Sequence, residues 1–236
     1  MKIGILTNAF LEERFIQGCV EQFKNFDVKH LVLIPYKAWN GPYVSGFDNT
    51  GVLAIDSGAS VIYGDWKSTS DQLNYGLTQF KDYDWVIICD ADERYTQYGL
   101  QRFFDFFPYI EADVIKTNDW IVYWKTADYE LLPHQTDYPT IAVKPHVKFV
   151  NIRDTGLDYN YIDVPMYHFS YYRTDEEMLK KISAFEASKQ FNIQKWYENI
   201  WLKWTPEMEN LHPVNPNQFK KAIYNPPPQE IKELLP

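Results

Sequence analysis

Asp84-Trp85-Val86-Ile87-Ile88-Cys89-Asp90-Ala91-Asp92-Glu93 is the stretch on which the fold of this chain turns. Its unbroken apolar run has no polar alternation. That pattern marks a strand buried on both faces, as in a central strand of a parallel sheet. The run ends abruptly in a cluster of carboxylates. In open α/β sheets ligands bind beyond the carboxyl ends of the strands, so this end of the strand is where a site is expected.

Working outward, residues 2–6 form a second short apolar run that ends in Thr7-Asn8, another strand with a polar carboxyl end. Leu11, Phe15, Ile16, Cys19, Val20 and Phe23 then recur at helical spacing. Residues 28–35 read as a strand and 36–50 as a loop. Residues 52–55 and 61–63 are short strand candidates. Residues 70–80 read as a helix capped by Thr69 or Ser70, with Leu73, Leu77 and Phe80 on its apolar face. Beyond the central run, residues 99–109 give an aromatic-rich helix, and 114–116, 120–124, 140–143 and 147–150 are strand-like. Thr174 and Glu177 form a capping box that opens a helix running to about residue 191. Strand and helix alternate in the first half and strands dominate the second. The expectation is an α/β domain with a mostly parallel central sheet and a mixed β extension.

After residue 192 the chain changes character. Half of its 14 prolines follow Trp204, yet Trp196, Trp201 and Trp204 sit in the same segment. Disordered tails are poor in aromatics. We therefore expect residues 1–191 to form the main α/β domain, and 192–236 to form a helical, Pro-rich appendage packed on it, ending as an extended strap.

The chain has 236 residues with 23 Lys+Arg and 32 Asp+Glu, a net charge of −9 that argues against a general nucleic-acid coat. Aromatic residues make up 17% of it, enough to line a polar-aromatic cleft as well as a core. Cys19 and Cys89 have no CxxC partner and read as buried free thiols of a reducing compartment. No apolar run approaches the ~18 residues of a membrane span, and the N-terminus lacks a signal-peptide pattern. A cytoplasmic protein is expected.

Asp90 and Asp92, one residue apart past a buried strand, can point at one cation, and Mg²⁺ or Mn²⁺ binds through such carboxylates together with substrate phosphates. The alternative is a polar turn after a strand. His168, in Met166-Tyr167-His168-Phe169, has an imidazole suited to Mn²⁺. Its alternative is a hydrogen-bonded core histidine.

Four stretches together resemble the nucleotide-sugar glycosyltransferases of GT-A type, close to the family 2 group. They are Ile3 to Asn8 with the following helix, Trp66 to Leu77 with Asn74-Tyr75-Gly76-Leu77, Tyr83 to Arg94, and Tyr167 to Phe185. The resemblance implies a Rossmann-like GT-A fold and transfer of a sugar from a nucleotide-diphosphate donor. It implies donor contacts at Thr7, Asn8, Trp66, Asn74, Asp90 and Ala91, and a Mn²⁺ or Mg²⁺ ion held by Asp90, Asp92 and His168. An inverting enzyme also needs a base for the acceptor hydroxyl. Asp119 is the first candidate, with Asp154 and Asp158 as alternatives. The acceptor class is left open among glycan, small molecule, protein and nucleic acid. A nucleotidyltransferase would want a Gly-rich phosphate loop near the N-terminus, and residues 2–10 have none. A non-catalytic sugar-binding module would not need the carboxylate pair.

Overall fold

The computed structural model describes residues 1–38, 48–134, 138–184, 192–215 and 218–236. The carboxyl end of the expected helix after Thr174 and most of the loop at 36–50 lie outside these residues. The chain begins with β1 (Ile3–Asn8), α1 (Glu13–Glu21), β2 (Lys29–Pro35), α2 (Thr50–Asp56), β3 (Ser60–Gly64), α3 (Thr69–Leu77) and β4 (Trp85–Ile88). It continues through β5 (Glu93–Arg94), α4 (Gln97–Phe106), β6 (Val114–Thr117), β7 (Trp120–Trp124), β8 (Tyr129–Leu132) and β9 (Thr140–Val143). The last elements are β10 (Asn160–Ile162), β11 (Met166–Tyr171), α5 (Asp175–Ala184), α6 (Ile193–Trp196), β12 (Lys221–Tyr224) and α7 (Gln229–Lys232).

Seven strands form the main sheet in the order β10-β6-β9-β4-β1-β2-β3. All its pairings are parallel except those of β9, which runs antiparallel to both β4 and β6. The chain builds outward from β1 to β2 and β3, then returns to place β4 on the other side of β1. That reversal makes the β1–β4 crevice the switch point where such sheets bind ligands. Both strands are wholly buried, as their apolar runs imply. Each buried Ile or Val of β4 is worth roughly 1.5–3 kcal/mol of transfer free energy.

The two faces are covered by different helices. Cys19 of α1 and Phe23 just after it pack over Ile5, Ile87 and Cys89, while Leu73 and Leu77 of α3 pack over Leu6, Leu33 and Ile88. Gly76 lets α3 approach closely, because a Cβ there would stand 2.6 Å from Leu6 and 3.0 Å from Leu33.

A second, five-stranded sheet runs β12-β8-β7-β11-β5. Its edge strand β5 follows the Asp90–Asp92 turn directly, so this turn is the joint between the two sheets. β5 pairs antiparallel with β11, setting His168 opposite Glu93. Among the described residues no helix is long and apolar enough to cross a membrane.

Three expectations need correction. Residues 52–55 are not a strand: they lie in α2, where Thr50, Gly51 and Ala54 are buried while Val52 and Ile55 are more than half exposed. Small residues, with Leu53 partly buried beside them, form that helix's packed face. Residues 147–150 alternate buried and exposed like a strand, but their backbone is pinned by the Asn74 side chain instead of a strand partner. The α3 cap is Ser68, whose hydroxyl accepts from the Asp71 N–H at 3.1 Å. The Thr174–Glu177 capping box forms as expected.

The segment after residue 192 packs rather than trails. Trp196 and Trp201 bury against Trp124 of β7 with Leu131 of β8, and β12 adds an antiparallel strand beside β8. Ile231 of α7 is buried with Phe15 and Phe169.

A candidate active site at the joint of the two sheets

Asp92 sits at the joint with 5% of its side chain exposed, and both its oxygens are taken. Oδ2 accepts from Lys181 Nζ at 2.5 Å and from Arg173 Nη2 at 2.8 Å. Oδ1 lies 3.2 Å from His168 Nε2. Burial alone would raise this carboxyl, but Lys181, His168 and Arg173 hold it well below the usual carboxylate range. Arg173 bridges to a second carboxylate, Glu12, at 2.7 Å, and Lys181 lies 3.8 Å from the same residue. Glu12 follows β1 and Asp92 follows β4, so the four charges span the switch point.

His168 is oriented from its other side. Trp120 Nε1 donates to His168 Nδ1 at 3.1 Å, and the two rings stack with centroids 5.7 Å apart. An indole N–H can only donate. The proton of a neutral His168 is therefore on Nε2, facing Asp92, and neither ring nitrogen presents a lone pair to a metal. Asp90 faces elsewhere: its Oδ2 lies 3.3 Å from Arg153 Nη1, and about a third of its side chain is open to solvent. The expected set of Asp90, Asp92 and His168 thus does not fit a divalent cation as arranged, because protein cations and a ring N–H fill the positions a metal would need. Among the described residues, no group of three His, Cys, Asp or Glu side chains is disposed to hold one.

The Asp90 turn is held from beneath by Arg153, which is buried. Its fork contacts Glu93 and Asp90 through Nη1, donates to the Ile88 carbonyl at 2.9 Å through Nη2, and to Thr140 at 3.0 Å through Nε. Glu93 in turn accepts from the Asp90 N–H at 3.0 Å.

The other expected donor residues divide. Asn8, at the end of β1, is 9% exposed, and its amide nitrogen and oxygen are both buried without a partner. Such a group is costly to leave unpaired unless something else satisfies it. Thr7 points into the core, with its hydroxyl 2.8 Å from His30 Nε2. Trp66 is buried and tilted against Tyr75. Asn74 spends both ends of its amide on the Phe149 backbone. Ala91 is buried, and its carbonyl accepts from Arg94 at 2.8 Å.

Of the base candidates, Asp119 directly precedes Trp120 and lies 3.5 Å from His134, and burial raises its carboxyl above the ordinary value. Asp154 is exposed, closes a turn with Asn151 and lies 3.9 Å from Lys116. Asp158 is exposed. Sequence reading missed Arg173, Lys181 and Glu12 as members of the site. Arg173 and Lys181 are 81 and 89 residues from Asp92 in the chain, and the capped start of α5 and the family-like stretch from Tyr167 to Phe185 pointed to that segment but not to these two side chains.

No protein-family model matches the chain, and no curated protein matches it. Among solved structures, that of S. aureus TarS aligns over 77% of this chain and 38% of its own length, at 13% identity and a TM-score of 0.51. The chain thus spans well under half of TarS. TarS 1–349 in complex with UDP-GlcNAc aligns over 77% of this chain and 64% of its own, at 11% identity and a TM-score of 0.49. The mannosyltransferase PcManGT from Pyrobaculum calidifontis, in complex with GDP-Man and Mn²⁺, aligns over 78% and 61%, at 11% identity and a TM-score of 0.48. The likeness to TarS bears out the fold: this chain has the GT-A-like α/β architecture, with its mostly parallel central sheet.

Proposed function

We propose that this chain is a glycosyltransferase that moves a sugar from a nucleotide-sugar donor to an acceptor. The observation that carries the reading is the pairing of Asn8 and Asp90 at the carboxyl ends of β1 and β4. One is a buried amide with no partner, and the other is a carboxylate about a third exposed and clamped by Arg153. Both stand at the switch point of a GT-A-like sheet, where a nucleotide is expected. Asp90 suits the ribose hydroxyls, which donate to a carboxylate, and Asn8 can both donate to and accept from the nucleotide.

Charge develops on the diphosphate as the sugar leaves, and fixed cations aimed at it stabilise the transition state. The chain's cations at this place are Arg173 and Lys181. Asp119 is the base this reading favours. Its raised carboxyl holds a proton more readily than an exposed aspartate, and it adjoins the Trp120–His168–Asp92 chain of contacts. The acceptor hydroxyl would give its proton to Asp119 as its oxygen bonds the sugar and the nucleoside diphosphate departs. The metal expected from the sequence enters no step here, because the carboxylates present do not offer it a site.

A panel of nucleotide sugars read by thermal shift tests the proposal, since a bound donor raises stability by mass action. Donor hydrolysis is followed in parallel. A raised melting temperature with sugar release is the expected result. Nucleoside triphosphate turnover without sugar release would turn the reading to a nucleotidyltransferase. Binding of free sugar with no response to any nucleotide would turn it to a sugar-binding module.

A further inference from the structure

We propose that Lys181 and Arg173 stand in for a divalent cation at Asp92, so that this chain binds the diphosphate of its donor without a metal ion. The proposal rests on the transferase reading above. Its first support is the occupancy of Asp92. One oxygen accepts from Lys181 at 2.5 Å and from Arg173 at 2.8 Å, and the other meets the Nε2–H of His168 at 3.2 Å. A cation entering here must evict a buried arginine or the lysine, and must also reverse the His168 tautomer. Reversal would set two N–H donors, from Trp120 and His168, against each other.

The second support is charge balance. Glu12 and Asp92 are matched by Arg173 and Lys181, which gives the cluster the net charge of two carboxylates holding one divalent ion. The third is access. Arg173 has 3% of its side chain exposed and fixes the frame, whereas Lys181 has 29% exposed. An ammonium carries three donors on a flexible stem and can bridge Asp92 and a phosphate oxygen together. The ammonium lies between the ends of β1 and β4, where the diphosphate of a switch-point nucleotide sits.

The test uses the full chain, titrated with UDP and with GDP in EDTA and in Mn²⁺, while Mn²⁺ binding to the protein alone is followed by electron paramagnetic resonance. The expected result is nucleotide affinity that changes by less than about threefold between EDTA and Mn²⁺, and no Mn²⁺ bound at stoichiometric concentration. Lys181→Met should weaken binding in EDTA by about tenfold, the loss of one charge-assisted hydrogen bond. Lys180→Met, on the same helix but pointing to solvent, should leave binding unchanged. Melting curves establish that both variants fold. Two results overturn the inference while leaving the transferase reading in place: nucleotide binding that collapses in EDTA, or wild-type Mn²⁺ binding that Asp92→Asn abolishes. Failure of every nucleotide to bind under both conditions overturns the transferase reading, and this inference with it.

Discussion

Trp120 donates its indole N–H to His168 Nδ1 at 3.1 Å, and this one bond settles what His168 can do. With Nδ1 accepting, a neutral ring carries its proton on Nε2, directed at Asp92. Trp120→Phe keeps the stacked ring and removes the donor. We expect the variant to lose about 1 kcal/mol of stability and to populate the Nδ1–H tautomer. Nitrogen-15 spectra of the imidazole read this directly. An unchanged tautomer in a folded variant would show that Asp92, not Trp120, sets the ring.

Asp92 is a structural charge as well as a site residue. Asp92→Asn leaves Arg173 with Glu12 only, and Lys181 without its short contact. We expect urea unfolding to show a loss of about 2–3 kcal/mol. In a double-mutant cycle with Lys181→Met, the coupling should be about 1 kcal/mol, because the lysine is partly screened by water. A cycle that closes with zero coupling would mean the contact contributes nothing in solution.

Arg153 holds the Asp90 turn by geometry that only a guanidinium supplies. Three of its nitrogens reach Glu93, Asp90 and the Ile88 and Thr140 carbonyls. Arg153→Lys keeps the charge but loses the fork, so it should cost nearly as much as Arg153→Met, about 3 kcal/mol. Full stability in the lysine variant, measured by chemical denaturation, would contradict the clamp.

What could be read from the sequence follows a simple physical division. The central strand and its carboxylate turn were legible because burial on both faces leaves an unbroken apolar run. The α5 cap was legible because Thr174 and Glu177 are three residues apart. The residues that neutralise Asp92 were not, since nothing local ties Arg173 or Lys181 to a turn more than 80 residues earlier. Helix α2 was misread for the opposite reason. Val52 and Ile55 look like strand residues, but the packed face is Thr50, Gly51 and Ala54. Asn74 carries a resemblance to donor-site residues, yet its amide is consumed by the Phe149 backbone.

The buried His30 gives a pH dependence with a definite sign. Burial pushes its imidazole down from the ordinary 6.5 to about 3, so the folded ring stays neutral where the unfolded one is charged. Between these values the unfolded state binds more protons, and stability falls as pH drops from about 6.5 toward 3. The full contribution is of order 5 kcal/mol, and other acidic groups add to it. His30→Gln should keep a polar contact to Thr7 and flatten that part of the profile. Urea midpoints taken across the window check it, and an equally steep profile in the variant would remove His30 as a cause.

Trp201 anchors the segment after residue 192 in the core of the second sheet. Its ring is wholly buried, 5.2 Å from Trp124 at an edge-to-face angle, and its Nε1 donates to Asp175 Oδ1 at 2.9 Å. Asp175 opens α5, the helix that carries Lys181, and also pairs with Lys125 at 2.7 Å. The tryptophan therefore ties the segment after residue 192 to the helix that supplies the site's mobile cation. Trp201→Ala deletes a large buried ring and one hydrogen bond, and should cost about 3–5 kcal/mol. Trp201→Phe keeps most of the packing but loses the bond, and should cost about 1–2 kcal/mol. If the tie matters to the site, the phenylalanine variant should also weaken nucleotide binding, in the same direction as Lys181→Met and by less. Truncation after residue 191 removes Trp196, Trp201, Leu211, Phe219 and Ala222 from the cluster around Val122, Trp124 and Leu131 and should produce aggregation, read by light scattering. A truncated chain that stays monodisperse and binds nucleotide as the full chain does would show that this segment contributes neither to the core nor to the site.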